Sequence, residues 1–269
     1  MATRSAISNI MHKAAAHASR GMLRDFGEVE NLQVSRKGPA DFVSRVNQNA
    51  IKVIKTDLLK ARPEWGFKIN GVGVSHNQDP TVPFWLIEPL NGVLNFLHGI
   101  PIFSISIAVQ DQKKVTAGLI FDPVRHEYFF AESGSGAFLN DRRIRVSGRR
   151  NMTDAIFSTC TPDFVDNKTS DREYFSKKLE NIMLASAGVR VFGSASLDLA
   201  YVAAGRYDGF WGQGLNDNAI AAGILIIREA GGFVSDFTSR DLALRSGNIV
   251  AANPAIHAKL LKRLSKKEY

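Results

Sequence analysis

The sequence predicts a layered α/β fold, in which helices pack against sheets, and three patterns support this prediction. Near the start, apolar residues recur at helical spacing: Ile7, Ile10, Met11, Ala14, Ala15 and Ala18. In the middle, apolar residues alternate with small or polar ones from Phe103 to Val109. After about residue 150, strand and helix patterns follow one another in turn. Such alternation is typical of layered packing and unlike a helical bundle or an all-β sandwich.

The first half is predicted to contain two helices followed by a sheet. The first helix covers about residues 4–20, and the second covers about Val46–Lys60. Three strands then follow at Phe103–Val109, Val115–Phe121 and Glu127–Ala131. Glycines and an Asn-Asp pair between residues 134 and 141 indicate turns within this sheet.

The second half is predicted to alternate between strands and helices. The predicted strands are Ile156–Thr159, Val189–Phe192, Asp208–Trp211, Phe233–Ser235 and Asn248–Ala251. The predicted helices are Arg172–Ser186, Ser196–Ala204, Ala219–Ala230 and Pro254–Leu264. The change of pattern suggests one unit over residues 1–269 with two subdomains, about 1–150 and 151–269, around a shared cleft.

Composition excludes several classes of protein. The chain has 269 residues, of which 45% are hydrophobic and 22% charged, so disorder and coiled coil are not expected. The single cysteine, Cys160, excludes an intrachain disulfide framework and cannot form a zinc cluster alone. Because no run of about 18 apolar residues occurs, we expect no membrane span and a cytoplasmic location. The 34 Lys and Arg residues exceed the 26 Asp and Glu residues, which gives a net charge of +8.

The most informative segment runs from Trp85 to Phe96 and reads Trp-Leu-Ile-Glu-Pro-Leu-Asn-Gly-Val-Leu-Asn-Phe. An apolar strand ends at Pro89, and Gly92 indicates a tight turn before a helix-like start. A turn of this kind directs consecutive backbone N–H groups to one point, where an anion can bind.

This segment resembles the first signature of the inositol monophosphatase family, Asp-Pro-hydrophobic-Asp-Gly-Thr-x-Asn-Phe. Glu88, Asn91 and Val93 stand where that signature has Asp, Asp and Thr. The second signature, Trp-Asp-x-Ala-Ala-Gly followed by Glu-Ala-Gly-Gly, is similar to residues 218–223 and 229–232, with Ala219 in place of the Asp. The resemblance covers essentially the whole chain and is greatest to the bacterial extragenic suppressor protein branch.

The resemblance implies the sugar phosphatase fold, with alternating αβαβα layers, and Mg²⁺-dependent hydrolysis of a phosphate monoester. By resemblance, the metal-binding positions are Asn70, Glu88, the Leu90 carbonyl, Asn91 and Ala219. The positions for phosphate and substrate are Lys37, Asn91, Gly92, Val93, Leu94 and Gly212. Asn47 occupies the position of a supporting Asp. The family also implies a homodimer, and its bacterial branch implies a protein or RNA partner in transcription.

The substitutions lead us to expect a catalytically inactive member without a metal cofactor. Of four carboxylate ligand positions only Glu88 keeps a carboxylate, and its extra methylene displaces the charge by roughly 1.5 Å. The amides of Asn70 and Asn91 supply no charge. Asp217 cannot replace the missing carboxylate at Ala219, because two residues along a helix point to nearly opposite faces, so we expect it to cap that helix.

Other interpretations remain open at this stage. Taken singly, Asn70 is also typical of a turn and Glu88 of a solvated charge. An active phosphatase could use altered ligands around Mg²⁺. Alternatively, Lys37 and the N–H groups of residues 92–94 could bind phosphate directly, as in an anion sensor.

The basic excess has two interpretations. The cations near the end, Lys259, Lys262, Arg263, Lys266 and Lys267, are typical of a solvated helix face, and a nucleic-acid contact is the alternative. Restoring carboxylates at Asn47, Asn70, Asn91 and Ala219 would lower the net charge to about +4. The excess therefore indicates a lost metal site more strongly than a nucleic-acid partner.

Overall fold

The computed structural model describes residues 5–29, 39–75, 79, 81–162 and 169–265. The helices are α1 (Ala6–Gly27), α2 (Pro39–Ala61), α3 (Val93–Leu97), α4 (Thr169–Met183), α5 (Ala195–Ala203), α6 (Asp217–Glu229), α7 (Ala243–Ser246) and α8 (Pro254–Leu264). Strands β1 to β8 are Gly66–Ile69, Gly73–Ser75, Phe84–Asn91, Ser104–Asp111, Lys114–Asp122, Glu127–Glu132, Gly136–Leu139 and Arg142–Ile144. Strands β9 to β13 are Ile156–Thr159, Gly188–Arg190, Gly209–Gly212, Phe233–Ser235 and Ile249–Ala252.

The strands form two sheets. The first has eight strands in the order β2-β1-β3-β4-β5-β6-β7-β8, and all of its pairings are antiparallel except β1 with β3. The second has five strands in the order β10-β9-β11-β13-β12. The strands of the first sheet precede residue 150 and those of the second follow it. The boundary between two subdomains at that residue stays a prediction.

Alternating side chains on the strands produce five layers. On β3, Trp85 and Ile87 face outward and pack against α1 and α2, whereas Leu86 faces inward. The inner layer is α5 and α6, which lie between Leu86 on the first sheet and residues such as Phe210 on the second. On the far side of the second sheet, α4 and α8 cover Trp211 and its neighbours. The predicted αβαβα layering is confirmed.

Helix α6 is the centre of the inner layer, and its residues from Asn218 to Ile227 are all buried. Two glycines allow it to approach its neighbours closely. A Cβ on Gly118 of β5 would lie 2.8 Å from the Ala222 Cα, and one on Gly223 would lie 2.6 Å from the Leu199 Cβ. These contacts hold the middle of α6 against β5 on one side and against α5 on the other.

None of the helices in the described ranges is long and apolar enough to cross a bilayer. The expected cytoplasmic location stays a prediction.

We expect Gly118→Ala to lower the free energy of unfolding by about 1–3 kcal/mol, because the new methyl group meets helix backbone that has little freedom to move. Gly21→Ala in α1 is the control: its Cβ would have nothing within 4 Å, so we expect stabilisation by up to about 1 kcal/mol. Urea denaturation of both variants measures the difference. Equal stability of the two variants would show that the close approach is unimportant.

Candidate functional site

Most of the sequence-predicted site residues lie around one cavity of about 290 Å³ at the end of β3. The predicted residues that line it are Asn47, Asn70, Glu88, Leu90, Asn91, Gly92, Val93 and Ala219. Residues that the sequence did not single out for this site also line it, notably Cys160, Gln213 and Asn216. The structure therefore brings together side chains from α2, β1, β3, α6 and the loops between them.

Among the described residues, two predicted ones, Leu94 and Gly212, do not line the cavity. Lys37 lies outside the described residues. Leu94 is 71% exposed on α3 and is directed to solvent, and Gly212 is buried in β11. A Cβ on Gly212 would lie 2.5 Å from the Leu215 Cδ1, so no larger residue fits there without rearrangement. Its neighbour Gln213 lines the cavity in its place.

The local sequence explains why β3 ends at this cavity. Its pairing with β4 shifts register between Glu88 and Asn91, around Pro89, which has no N–H group to donate to a partner strand. Gly92 then adopts φ of 101°, and a Cβ there would lie 2.7 Å from the Ile102 carbonyl oxygen. Only glycine allows the chain to turn here and begin α3.

Glu88 is the central acidic residue of the cavity, and it is only 4% exposed. Its side chain is on the inward face of β3, and the Asn70 Nδ2 donates a hydrogen bond of 2.7 Å to its Oε2. Burial raises the pKa of Glu88 to about 8, although the hydrogen bond from Asn70 partly opposes this rise. At neutral pH the folded chain therefore holds Glu88 mainly in its neutral form.

Hydrogen bonds between side-chain amides connect Glu88 to helix α6. The Asn216 Nδ2 donates to the Asn70 Oδ1 at 2.7 Å, and the Asn216 Oδ1 accepts from the backbone N–H of Asn218. Asn216 is thus the N-cap of α6, and the prediction that Asp217 caps this helix is wrong. Asp217 forms an ion pair of 2.5 Å with Lys68 on β1 and leaves the position of Ala219 without a carboxylate, as expected.

The side chain of Asn91 forms hydrogen bonds with the start of helix α5. Its Oδ1 accepts hydrogen bonds from the Ser194 Oγ at 2.9 Å and from the Ser196 N–H at 3.1 Å. The Ser196 Oγ in turn donates to the carbonyl of Ala219 at 2.8 Å. The side-chain oxygen of Asn91 therefore accepts from an N–H group at the start of α5 and is not free to bind a cation.

Cys160 lines the cavity just after β9, and Lys178 of α4 contacts the lining residue Gln213 from outside the cavity. Cys160 is buried, and its Sγ lies 3.6 Å from the Asp198 Oδ2. Burial raises the pKa of the Cys160 thiol and the pKa of the Asp198 carboxyl group. Lys178 lies behind Gln213, 3.5 Å from its Oε1, with its ammonium over the rings of Tyr174 and Phe237.

These residues do not fit a magnesium site. Mg²⁺ prefers octahedral oxygen ligands, usually including carboxylates. Here Ala219 offers no side-chain oxygen, and the oxygens of Asn70 and Asn91 already accept hydrogen bonds. Glu88 supplies at most one negative charge. Across the described part of the chain, no group of three or more His, Cys, Asp or Glu side chains is placed to bind a metal ion.

Sequence reasoning missed the role of Asn216, although a signal for it was present. Asn is among the preferred N-cap residues, and Asn216 comes directly before the helical pattern. Its bond to Asn70 spans 146 positions in sequence and depends on the packing of α6 against β1 and β3. No local pattern predicts such a contact.

Comparisons with known proteins agree with the fold. The model of the inositol monophosphatase family matches residues 4–269. An inositol-1-monophosphatase of Mesorhizobium japonicum is 47% identical over 98% of this chain and 97% of its own length. A protein of Pseudomonas aeruginosa named Nus factor SuhB is 40% identical over 94% and 93%. The crystal structure of extragenic suppressor protein suhB from Bartonella henselae superimposes with a TM-score of 0.89, at 46% identity, over 98% of this chain and 100% of that one.

We expect Glu88→Gln to make the folded state less sensitive to pH. Because the pKa of Glu88 is about 8 when folded and near 4.5 when unfolded, the folded state holds a proton that the unfolded state has lost between these values. The stability that this protonation gives the folded state is fully present below about pH 4.5 and is lost as the pH rises through about 8. The Gln amide oxygen still accepts from Asn70 and does not titrate.

The measurement is urea denaturation of the native chain and the variant at several pH values. The variant should gain stability relative to the native chain, by an amount on the order of a few kcal/mol, from about pH 5 to about pH 8. Glu173→Gln on the exposed face of α4 is the control and should show no such trend. Parallel pH curves for the native chain and Glu88→Gln would contradict the assignment of a neutral Glu88.

Proposed function

Because this chain belongs to the inositol monophosphatase family, we propose that it keeps the family's fold but does not hydrolyse phosphate monoesters with Mg²⁺. It is then retained for binding or assembly. One observation carries the proposal: Asn70, Glu88, Asn91 and Ala219 surround one cavity and together supply a single carboxyl group. That group is buried and hydrogen-bonded to an amide.

The chemistry of the reaction explains why this loss matters. Hydrolysis of a phosphate monoester is among the slowest uncatalysed reactions, so it requires an acceleration of up to about 10²¹-fold. Metal-dependent phosphatases obtain much of it from cations that activate water and stabilise the developing charge. A cavity lined by neutral amides and one buried carboxyl group cannot hold such cations in place.

An active hydrolase with altered ligands is the alternative, and the names of relatives favour it. The proteins from Mesorhizobium japonicum and Rhizobium meliloti, 47% and 45% identical, are both named inositol-1-monophosphatase. For this alternative to hold, Glu88 would have to ionise, and Asn70 and Asn91 would have to exchange their present hydrogen bonds for a metal ion. Only then would Mg²⁺ be a cofactor of this chain.

The names of other relatives support a role in assembly. Proteins from Pseudomonas aeruginosa and Pasteurella multocida, 40% and 35% identical, are named Nus factor SuhB. We include a partner in transcription, formation of a homodimer and direct binding of phosphate or another small anion in the proposal as its binding roles.

We expect no Mg²⁺-stimulated release of phosphate from inositol 1-phosphate by the purified chain, because its cavity lacks the charge that would bind the ion. A colorimetric phosphate assay measures this, with the Mesorhizobium japonicum relative as the positive control. Circular dichroism should first show that the preparation is folded. Turnover at about 1 s⁻¹ or faster, within the usual range of enzymes, would contradict the proposal.

The variant Glu88→Gln separates the two functions if any release is seen. An active site with altered ligands depends on the only carboxylate among its ligand positions, so the substitution should abolish the release. Release that persists unchanged in this variant would come from a contaminating phosphatase and would leave the native chain inactive.

A further inference from the structure

A strip of arginines crosses the surface far from the cleft. It consists of Arg142, Arg143, Arg145, Arg149 and Arg150, and all five side chains are exposed. Within the described residues, only Arg149 of these forms an ion pair, with Asp208 at 3.4 Å. The next acid along the chain, Asp154, is exposed and accepts hydrogen bonds from Asn151 and Thr153. We call these five residues the basic strip.

The backbone of the basic strip is fixed on the protein. The Val146 N–H donates to the Ala230 carbonyl at 3.1 Å, and the Asn253 Nδ2 donates to the Arg149 carbonyl at 3.0 Å. The Lys259 Nζ donates to the Arg150 carbonyl at 2.6 Å. The polar backbone groups are therefore used on the inner side, while the five side chains stay exposed, that of Arg149 with its ion pair to Asp208.

Helix α8 extends the positive surface. Lys259 joins this helix to Arg150, and Lys262 and Arg263 follow in its last turn. The strip itself spans at most about 28 Å of extended chain from Arg142 to Arg150. An extended array of cations on a fixed backbone is complementary to a polyanion rather than to a single small anion.

An exposed aromatic ring lies beside α8. Phe233 is 57% exposed on β12, the edge strand of the second sheet. Its ring centroid is 6.1 Å from that of His257 on α8. Phe233 pairs with Ala252 of β13, and the side chain of the following residue, Asn253, donates to the Arg149 carbonyl, so Phe233 is also close to the strip.

We propose that the basic strip, α8 and Phe233 form a docking surface for single-stranded RNA. Cations that follow a phosphate backbone, together with an aromatic ring on which a base can stack, are the combination that binds single strands. A duplex keeps its bases stacked within the helix and cannot offer one to Phe233. Unpaired bases are the usual targets in RNA, which is why we commit to RNA. This surface is separate from the cleft, so the phosphate-release experiment does not test it.

The test is fluorescence anisotropy with a labelled oligouridine of about 20 nucleotides, at several salt concentrations from about 50 mM upwards. The strip variant combines Arg142→Gln, Arg145→Gln and Arg150→Gln, which break no ion pair. We expect it to bind roughly tenfold or more weakly, and its plot of log affinity against log salt to be less steep by about 2, because each phosphate contact contributes about 0.7.

Two further variants make the test specific. Phe233→Ala should weaken binding roughly tenfold with an unchanged salt slope, since stacking involves no counterion release. The control variant combines Lys60→Gln, Lys113→Gln and Lys114→Gln, which removes the same charge at exposed positions elsewhere and should bind as the native chain does.

Four results would overturn the proposal. The first is that the native chain does not bind at the lowest salt concentration, and the second is that the strip and control variants weaken binding equally. The third is that duplex RNA binds as tightly as the single strand while Phe233→Ala has no effect. The fourth is that the DNA strand of matching sequence binds more tightly than the RNA. Thermal unfolding of each variant confirms that a loss of binding is not a loss of fold.

Discussion

The burial of the Glu88 carboxyl group beneath the inner helix layer determines the character of the cleft. A carboxylate in such a place must be neutralised by a cation or by a proton, because an unpaired buried charge is very costly. Here the neighbours of Glu88 are amides and apolar groups, and the proton remains on it up to about pH 8. The hydrogen bonds around the cavity are consistent with this neutral state.

The same amides connect parts of the fold that lie far apart in sequence. Asn216 and Asn70 join the start of α6 to the first sheet, and Asn91 joins β3 to the start of α5. Helix starts have unpaired N–H groups that need acceptors, and neutral amide oxygens satisfy them without bringing in charge. Positions predicted to hold metal ligands are thus part of the structural framework in this chain.

The layered fold was predictable because its signals are local. The helical spacing from Ile7 to Ala18 comes from one buried face. The alternation along Phe103–Val109 comes from large apolar residues that face the outer helices and small residues that face the inner layer. Both predictions were confirmed with shifted ends. The short strands β1, β2, β7 and β8 were missed because three or four residues show little alternation, and β2, β7 and β8 have no helical pattern beside them as the short strands of the second half do. In the site, family resemblance located Asn70, Glu88, Asn91 and Ala219, but the contact of Asn216 with Asn70 and the replacement of Gly212 by Gln213 at the cavity depend on tertiary packing.

The central claim is that this cleft has exchanged a metal site for a neutral hydrogen-bonded one. X-ray diffraction from crystals grown with excess Mn²⁺, which scatters anomalously and accepts the same oxygen ligands as Mg²⁺, tests it most directly. Our account predicts no anomalous peak in the cavity and an Asn70 amide that still contacts both Glu88 and Asn216. A strong peak within coordination distance of Glu88 and the Leu90 carbonyl, with the Asn70 contacts broken, would contradict it.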